Sequence, residues 1–92
     1  LDFACASNID GIGIAKKADI PFISGFGMNI FNSVAIDEIQ KLGAKDCLVS
    51  CELPLSGISK LCGSLPRGVF AYGRIPLMLT RNCPVKNKLS CA

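Results

Sequence analysis

Four short apolar runs set the rhythm of this chain, and three of them are followed by stretches whose apolar residues recur every three or four positions. Leu1 to Ala6 reads as the end of a strand. Ser7 or Asn8 can then accept hydrogen bonds from the first free amides of a helix reaching about Ala18, with Gly11, Ile14, Ala15 and Ala18 as its inner face. Asp19 and Pro21 break that helix, and residues 21–26 form a second strand ending in the Gly25-Phe26-Gly27 turn. Asn32 or Ser33 caps the next helix. Asp37 and Glu38 lie towards its positive end, Ala35, Ile39 and Leu42 share one face, and Gly43 stops it. Asp46 to Cys51 is a strand with a nearly continuous apolar centre, as found where both faces are covered. Pro54 suits a first helical position, and Leu55, Ile58, Leu61 and Cys62 keep helical spacing up to Gly63. Gly68 to Gly73 is the last strand, and Pro76 ends further pairing or confines it to an edge.

The predicted order is βαβαβαβ with short connections, which implies an α/β fold of parallel strands joined by right-handed crossovers. Four such strands make either a small open sheet or about half of a TIM-type β/α barrel. An open sheet needs helices on both faces, and three short helices cover little more than one, so the barrel segment is the expectation. The uncovered face and edges then call for the remainder of the barrel or for self-association.

Ninety-two residues allow one small domain, which buries only about two thirds of its unfolded surface. Half the residues are hydrophobic and the mean hydropathy is +0.44, with no low-complexity run, which argues against disorder. No apolar stretch approaches the ~20 residues that cross a bilayer, so no membrane partner is expected. No charged-then-apolar leader is present, so export is not expected either. The chain opens at Leu1 and closes one residue after a cysteine, and we expect residues 1–92 to be a single partial domain of something larger.

The net charge of +3 is modest, and the Lys and Arg residues are scattered apart from Lys16, Lys17 and the stretch from Arg81 to Lys88. A dedicated nucleic-acid module clusters them more densely and interleaves aromatics. Histidine is absent, which excludes Ser-His-Asp and Cys-His catalysis within this chain and any His-based zinc site. Of the six cysteines, Cys47 and Cys51 would lie about 13 Å apart along a strand and cannot bridge each other. Cys5, Cys47 and Cys62 sit in apolar company and read as buried thiols, a pattern that fits a reducing, cytoplasmic setting.

Candidate chemistry gathers late in the chain. Arg74 follows the last predicted strand, and the carboxyl ends of barrel strands carry the site. Its guanidinium can grip a carboxylate or phosphate with two hydrogen bonds, or form a structural ion pair with Glu52 or Asp46. Glu52 ends the third strand and is either a general base or that partner. Asn29 and Asn32 follow the second strand. Asn29 can line the open face as a substrate-binding group, while Asn32 reads better as a helix cap. Gly11 with Gly13, and Gly25 with Gly27, lack the rest of a phosphate-loop pattern and read as turn or packing glycines. Ser50 has no base beside it. Cys83 and Cys91 are soft potential metal ligands among Lys and Arg, but two sulfurs do not complete a tetrahedral site, and exposed or incidentally paired thiols are the alternative.

Several runs together resemble a known family. They are Met28-Asn29-Ile30-Phe31-Asn32-Ser33, Leu42-Gly43, Leu48-Val49-Ser50-Cys51-Glu52-Leu53, Tyr72-Gly73-Arg74-Ile75-Pro76-Leu77-Met78 and Cys83-Pro84-Val85. In this order, over roughly residues 6–91, the chain resembles the bacterial collagenase-like peptidases of unassigned catalytic type (peptidase family U). The resemblance implies a β/α-barrel core of which this chain is the later part, and a hydrolase acting on peptides. Relatives that act in RNA hydroxylation or ubiquinone synthesis hold a four-iron (4Fe-4S) cluster on four cysteines, and Cys83 and Cys91 match the start of that set. By this resemblance the chain is a fragment of a collagenase-like peptidase, inert alone. Arg74 and Glu52 are then catalytic candidates, and Asn29 and Arg74 substrate-binding ones. The alternatives are a fragment of an iron-sulfur protein acting on RNA or a cofactor precursor, and a non-catalytic α/β scaffold. The family often carries a glutamate, a phenylalanine and a histidine before the glycine of the last strand. Here Gly68, Phe70 and Tyr72 precede Gly73, so the glutamate and histidine are replaced.

Overall fold

The computed structural model describes residues 2–83. Its elements are β1 (Ala4–Ala6), α1 (Ile9–Lys17), β2 (Phe22–Ser24), a 3₁₀ turn (Phe26–Met28), α2 (Ser33–Lys41), β3 (Cys47–Leu48), α3 (Leu55–Ile58) and β4 (Arg67–Gly68). The strands form one all-parallel sheet in the order β1-β2-β3-β4. Each crossover therefore steps one strand further in the same direction. Right-handed crossovers that never reverse put their helices on the same face of the sheet, giving one strand layer and one helix layer. The shortest extent of the molecule, 20 Å, is that of two layers about 10 Å thick.

Both long helices are fixed at their ends by their own sequence. The Asn8 side chain accepts from the Gly11 N–H at 2.7 Å and that of Asn32 from the Ala35 N–H at 2.9 Å, each satisfying an amide with no partner inside the helix. Their C-termini close identically. Beyond α1 the Ile20 N–H reaches the Ala15 carbonyl and the Asp19 N–H that of Lys16; beyond α2, Ala44 reaches Ile39 and Gly43 reaches Gln40. This paired closure needs a left-handed residue, and Asp19 (φ 54°) and Gly43 (φ 97°) supply it.

Between the layers, Ile12 and Ala15 of α1 and Ile36 and Ile39 of α2 meet Ala6, Phe22, Ile30 and Cys47. The inner face of α1 differs from the expectation: Ile12 is buried and Ile14 is 68% exposed. At 100° per residue Ile14 lies about 200° round from Ile12, and the helix turns the Ile12–Ala15 side to the sheet. On α2, Ile36 joins the expected Ala35, Ile39 and Leu42 and is wholly buried.

The later elements are shorter than their apolar runs implied. In place of a strand over residues 68–73, β4 is Arg67–Gly68. The Gly68 carbonyl accepts from the Val49 N–H at 3.0 Å, after which Val49 pairs with Ile30 instead. With its partner diverted, residues 69–73 pair with no strand among the described residues. The strand expected over 46–51 is likewise cut to Cys47–Leu48, and a turn follows in which the Leu53 N–H donates to the Ser50 carbonyl at 3.2 Å. Pro54 stands just before α3 rather than inside it, and α3 is a single turn with Leu55 in solvent. Of the three cysteines expected inside, only Cys47 is buried. Cys5 points to the sheet face that no helix covers, and Cys62 lies on the segment after α3.

Candidate functional site

In a parallel sheet all carboxyl ends lie on one side, and the loops there are brought together by topology alone. After β1 comes Ser7, against which the β2 loop packs closely. A methyl group on Gly25 would lie 2.6 Å from Ser7 Oγ and 2.7 Å from Cys5 Sγ, and one on Gly27 would strike the Ser7 carbonyl. Gly25 and Gly27 are therefore close-approach glycines, in keeping with their packing reading. Asn29 ends the 3₁₀ turn in the left-handed region (φ 46°), which asparagine tolerates, and it is exposed at this rim. The Ser50 N–H donates to the Ile30 carbonyl at 2.8 Å, tying the loops after β2 and β3 together. Ser50 Oγ accepts from the Glu52 N–H at 3.3 Å, and Glu52 itself stands in solvent.

The segment after β4 reaches the same rim through an aromatic contact. The Phe26 and Phe70 rings meet edge to face with centroids 5.6 Å apart and planes at 74°. Arg74 lies six residues beyond β4 instead of directly after a strand, and is exposed. It forms no ion pair with Glu52 or Asp46: among the described residues the ion pair is Lys41–Glu38, at 2.7 Å and far from the rim. The Glu38 carboxylate, through that hydrogen bond, holds the Lys41 ammonium pKa above its ordinary value.

A second feature lies on the open face of the sheet. Cys5, Ile23, Gly25, Asp46, Leu48 and Gly68 surround a recess of about 130 Å³, with Ser24 and Cys47 at its wall. Burial pushes the Cys47 thiol pKa up, with the Asp46 carboxylate adding to the rise and Arg67 opposing it. Ser24 Oγ is buried and has no hydrogen-bond partner among the described residues. Sequence reasoning passed over this recess, although a serine inside the apolar strand Phe22-Ile23-Ser24 was a visible signal.

Cys83 is exposed as a free thiol, and Cys91 lies outside the described residues. Among the described residues no three Cys, Asp or Glu side chains come together in a way that can hold a metal ion. Cys83 is thus the one member of the expected cluster set on view, and a cluster would need its other ligands from elsewhere. No helix among the described residues is long and apolar enough to cross a membrane.

These features define an α/β protein whose parallel sheet is wound in one direction, with loops gathered at one rim and one face open. No family model matches the chain, and neither a curated protein nor a solved structure matches it.

Proposed function

We propose that the chain supplies four strands of a β/α barrel of the collagenase-like peptidase type and forms part of its substrate-binding rim. The observation that carries this reading is the strand order β1-β2-β3-β4 without reversal. An open doubly wound sheet reverses its order and covers both faces, whereas a barrel keeps one direction and turns its bare face inward. The rim is where a barrel binds, and it carries Asn29 and Glu52, with Arg74 on the segment that Phe70 anchors there.

The ligand that suits these groups is a peptide. Asn29 offers an amide to a peptide backbone, and the exposed Arg74 guanidinium can take a carboxylate with two hydrogen bonds. Hydrolysis by this chain alone is not expected. Histidine is absent, and among the described residues Ser50 Oγ makes no hydrogen bond to a base and Glu52 is the carboxylate placed at the rim. Binding without turnover is the expected behaviour of the 92-residue chain. Titration with a fluorescent collagen-type peptide, followed by anisotropy and chromatography, should show saturable binding and no cleavage, and Arg74→Ala should weaken binding about tenfold. Cleavage by the wild-type chain, or equal binding by the variant, contradicts the reading.

The iron-sulfur alternative rests on Cys83, an exposed thiol two residues from Arg81 in the run that carries the resemblance. In the intact protein Cys83→Ser should lower iron and acid-labile sulfide together; unchanged iron content removes this alternative.

A further inference from the structure

Among the described residues the sheet ends on β1 and β4, and one of its faces carries no helix. The geometry points to a second copy of this chain as what covers them, the two copies closing an eight-stranded barrel about a two-fold axis. This inference rests on the barrel reading above and adds the source of the missing half.

Register makes the fit specific. Ala6, Ser24, Cys47 and Arg67 stand level across the four strands. A β/α barrel of eight strands has a shear of about eight residues, so crossing half of it shifts the register by about four. With right-handed twist the shift runs towards the amino end. Continuing from Arg67 onto β1 of a second copy therefore arrives four residues before Ala6, at Asp2. The opposite sense would arrive at Asp10, which lies inside α1 and cannot pair.

Two complementary pairs then fall at each seam. Arg67 faces Asp2 of the second copy, and both residues are exposed and without an ion pair among the described residues. One position on, Gly68 faces Phe3 of the second copy. Phe3 shares the face of Cys5 by strand alternation, and its side chain is 60% exposed. Gly68 has no side chain, and a methyl group there would already press on Leu48 Cδ1 at 3.1 Å. Leu48 already covers Gly68, so the phenyl ring arrives beside Leu48, at the mouth of the recess of about 130 Å³ that both residues line. Cavities of ~150 Å³ in protein interiors take up benzene, so a phenyl ring is of the right size. Because a two-fold axis repeats the seam, both edges are consumed at once and no edge remains for further growth.

Sedimentation equilibrium of the 92-residue chain should give twice its 9.7 kDa mass, with no larger species. Asp2→Lys and Arg67→Glu should each weaken the dimer about tenfold, since like charges then face each other across both seams. An equimolar mixture of the two variants should recover wild-type affinity, because in the mixed dimer every seam again pairs opposite charges. Among the described residues the Asp2 side chain makes no hydrogen bond, whereas Arg67 Nη1 donates to the Leu61 carbonyl, so the Asp2 variant keeps the test independent of folding. Phe3→Ser should weaken the dimer as well. A monomer at millimolar concentration, a dimer indifferent to these changes, or open-ended assemblies would each overturn the inference. Loss of peptide binding with the dimer intact would count against the proposed function and leave this inference standing.

Discussion

The rings of Phe70 and Phe26 meet edge to face, and this contact ties the segment after β4 to the loop after β2. An aromatic pair of this geometry contributes about 0.5–1.5 kcal/mol beyond its buried area. Phe70→Ala should therefore speed amide hydrogen exchange over residues 69–83 roughly tenfold while leaving α1 and α2 protected. Uniform loss of protection across the chain would show that Phe70 stabilises the whole fold instead.

Asp19 and Gly43 fill the same left-handed position at the ends of α1 and α2. Glycine takes that conformation without a Cβ penalty, whereas a side chain costs about 1 kcal/mol. Gly43→Ala should lower stability by about 1 kcal/mol, and Asp19→Gly should raise it by about 0.5 kcal/mol. Urea unfolding midpoints at constant slope measure both, and a gain from Gly43→Ala would refute the C-terminal closure described for α2.

Ile36 is fully buried between α2 and the sheet, in the core cluster that joins the two layers. Ile36→Ala should cost about 2–5 kcal/mol, against less than ~0.5 kcal/mol for Ile14→Ala on the solvent side of α1. Thermal melting of the pair checks the assignment of inner and outer faces, and reversed effects would show the α1 face to be misplaced.

That contrast marks what the amino-acid sequence carries. Helix ends were legible because Asn8, Asn32 and Gly43 act on amides and carbonyls a few residues away. Parallel order was legible because βαβ spacing constrains it. The face of α1 was not, since Ile9, Ile12 and Ile14 all offer an apolar side chain and only the sheet decides among them. Nor was the end of β4: residues 69–73 are as apolar as a strand, but Val49 turns to Ile30 and leaves them unpaired. For the candidate site, Asn29 and Glu52 were placed at the rim by topology alone. The recess beside Ser24 depends on which strand positions face away from the helices, which no local pattern encodes.

Cys47 carries a pH signature. Burial holds its thiol pKa above the ordinary value of 9.0, so the folded state retains a proton that the unfolded chain gives up. Its contribution is fully present below about pH 9 and is lost as pH rises through the folded-state value. Stability should fall with rising pH above about 9, and Cys47→Ala should flatten that slope. At pH 8 a thiol reagent should modify the exposed Cys5, Cys51, Cys62 and Cys83 rapidly and Cys47 only on unfolding. Rapid labelling of Cys47 would contradict its burial.

The rim of parallel strand ends as a peptide-binding surface is tested most directly by an amide chemical-shift footprint of the 92-residue chain titrated with a collagen-type peptide. Shifts should cluster on Ser7, residues 25–29, residues 50–52 and the segment around Arg74, all at or tethered to the carboxyl ends of the strands. Shifts confined to the amino ends of the strands or to the outer faces of α1 and α2, or no shifts at saturating peptide, would contradict it.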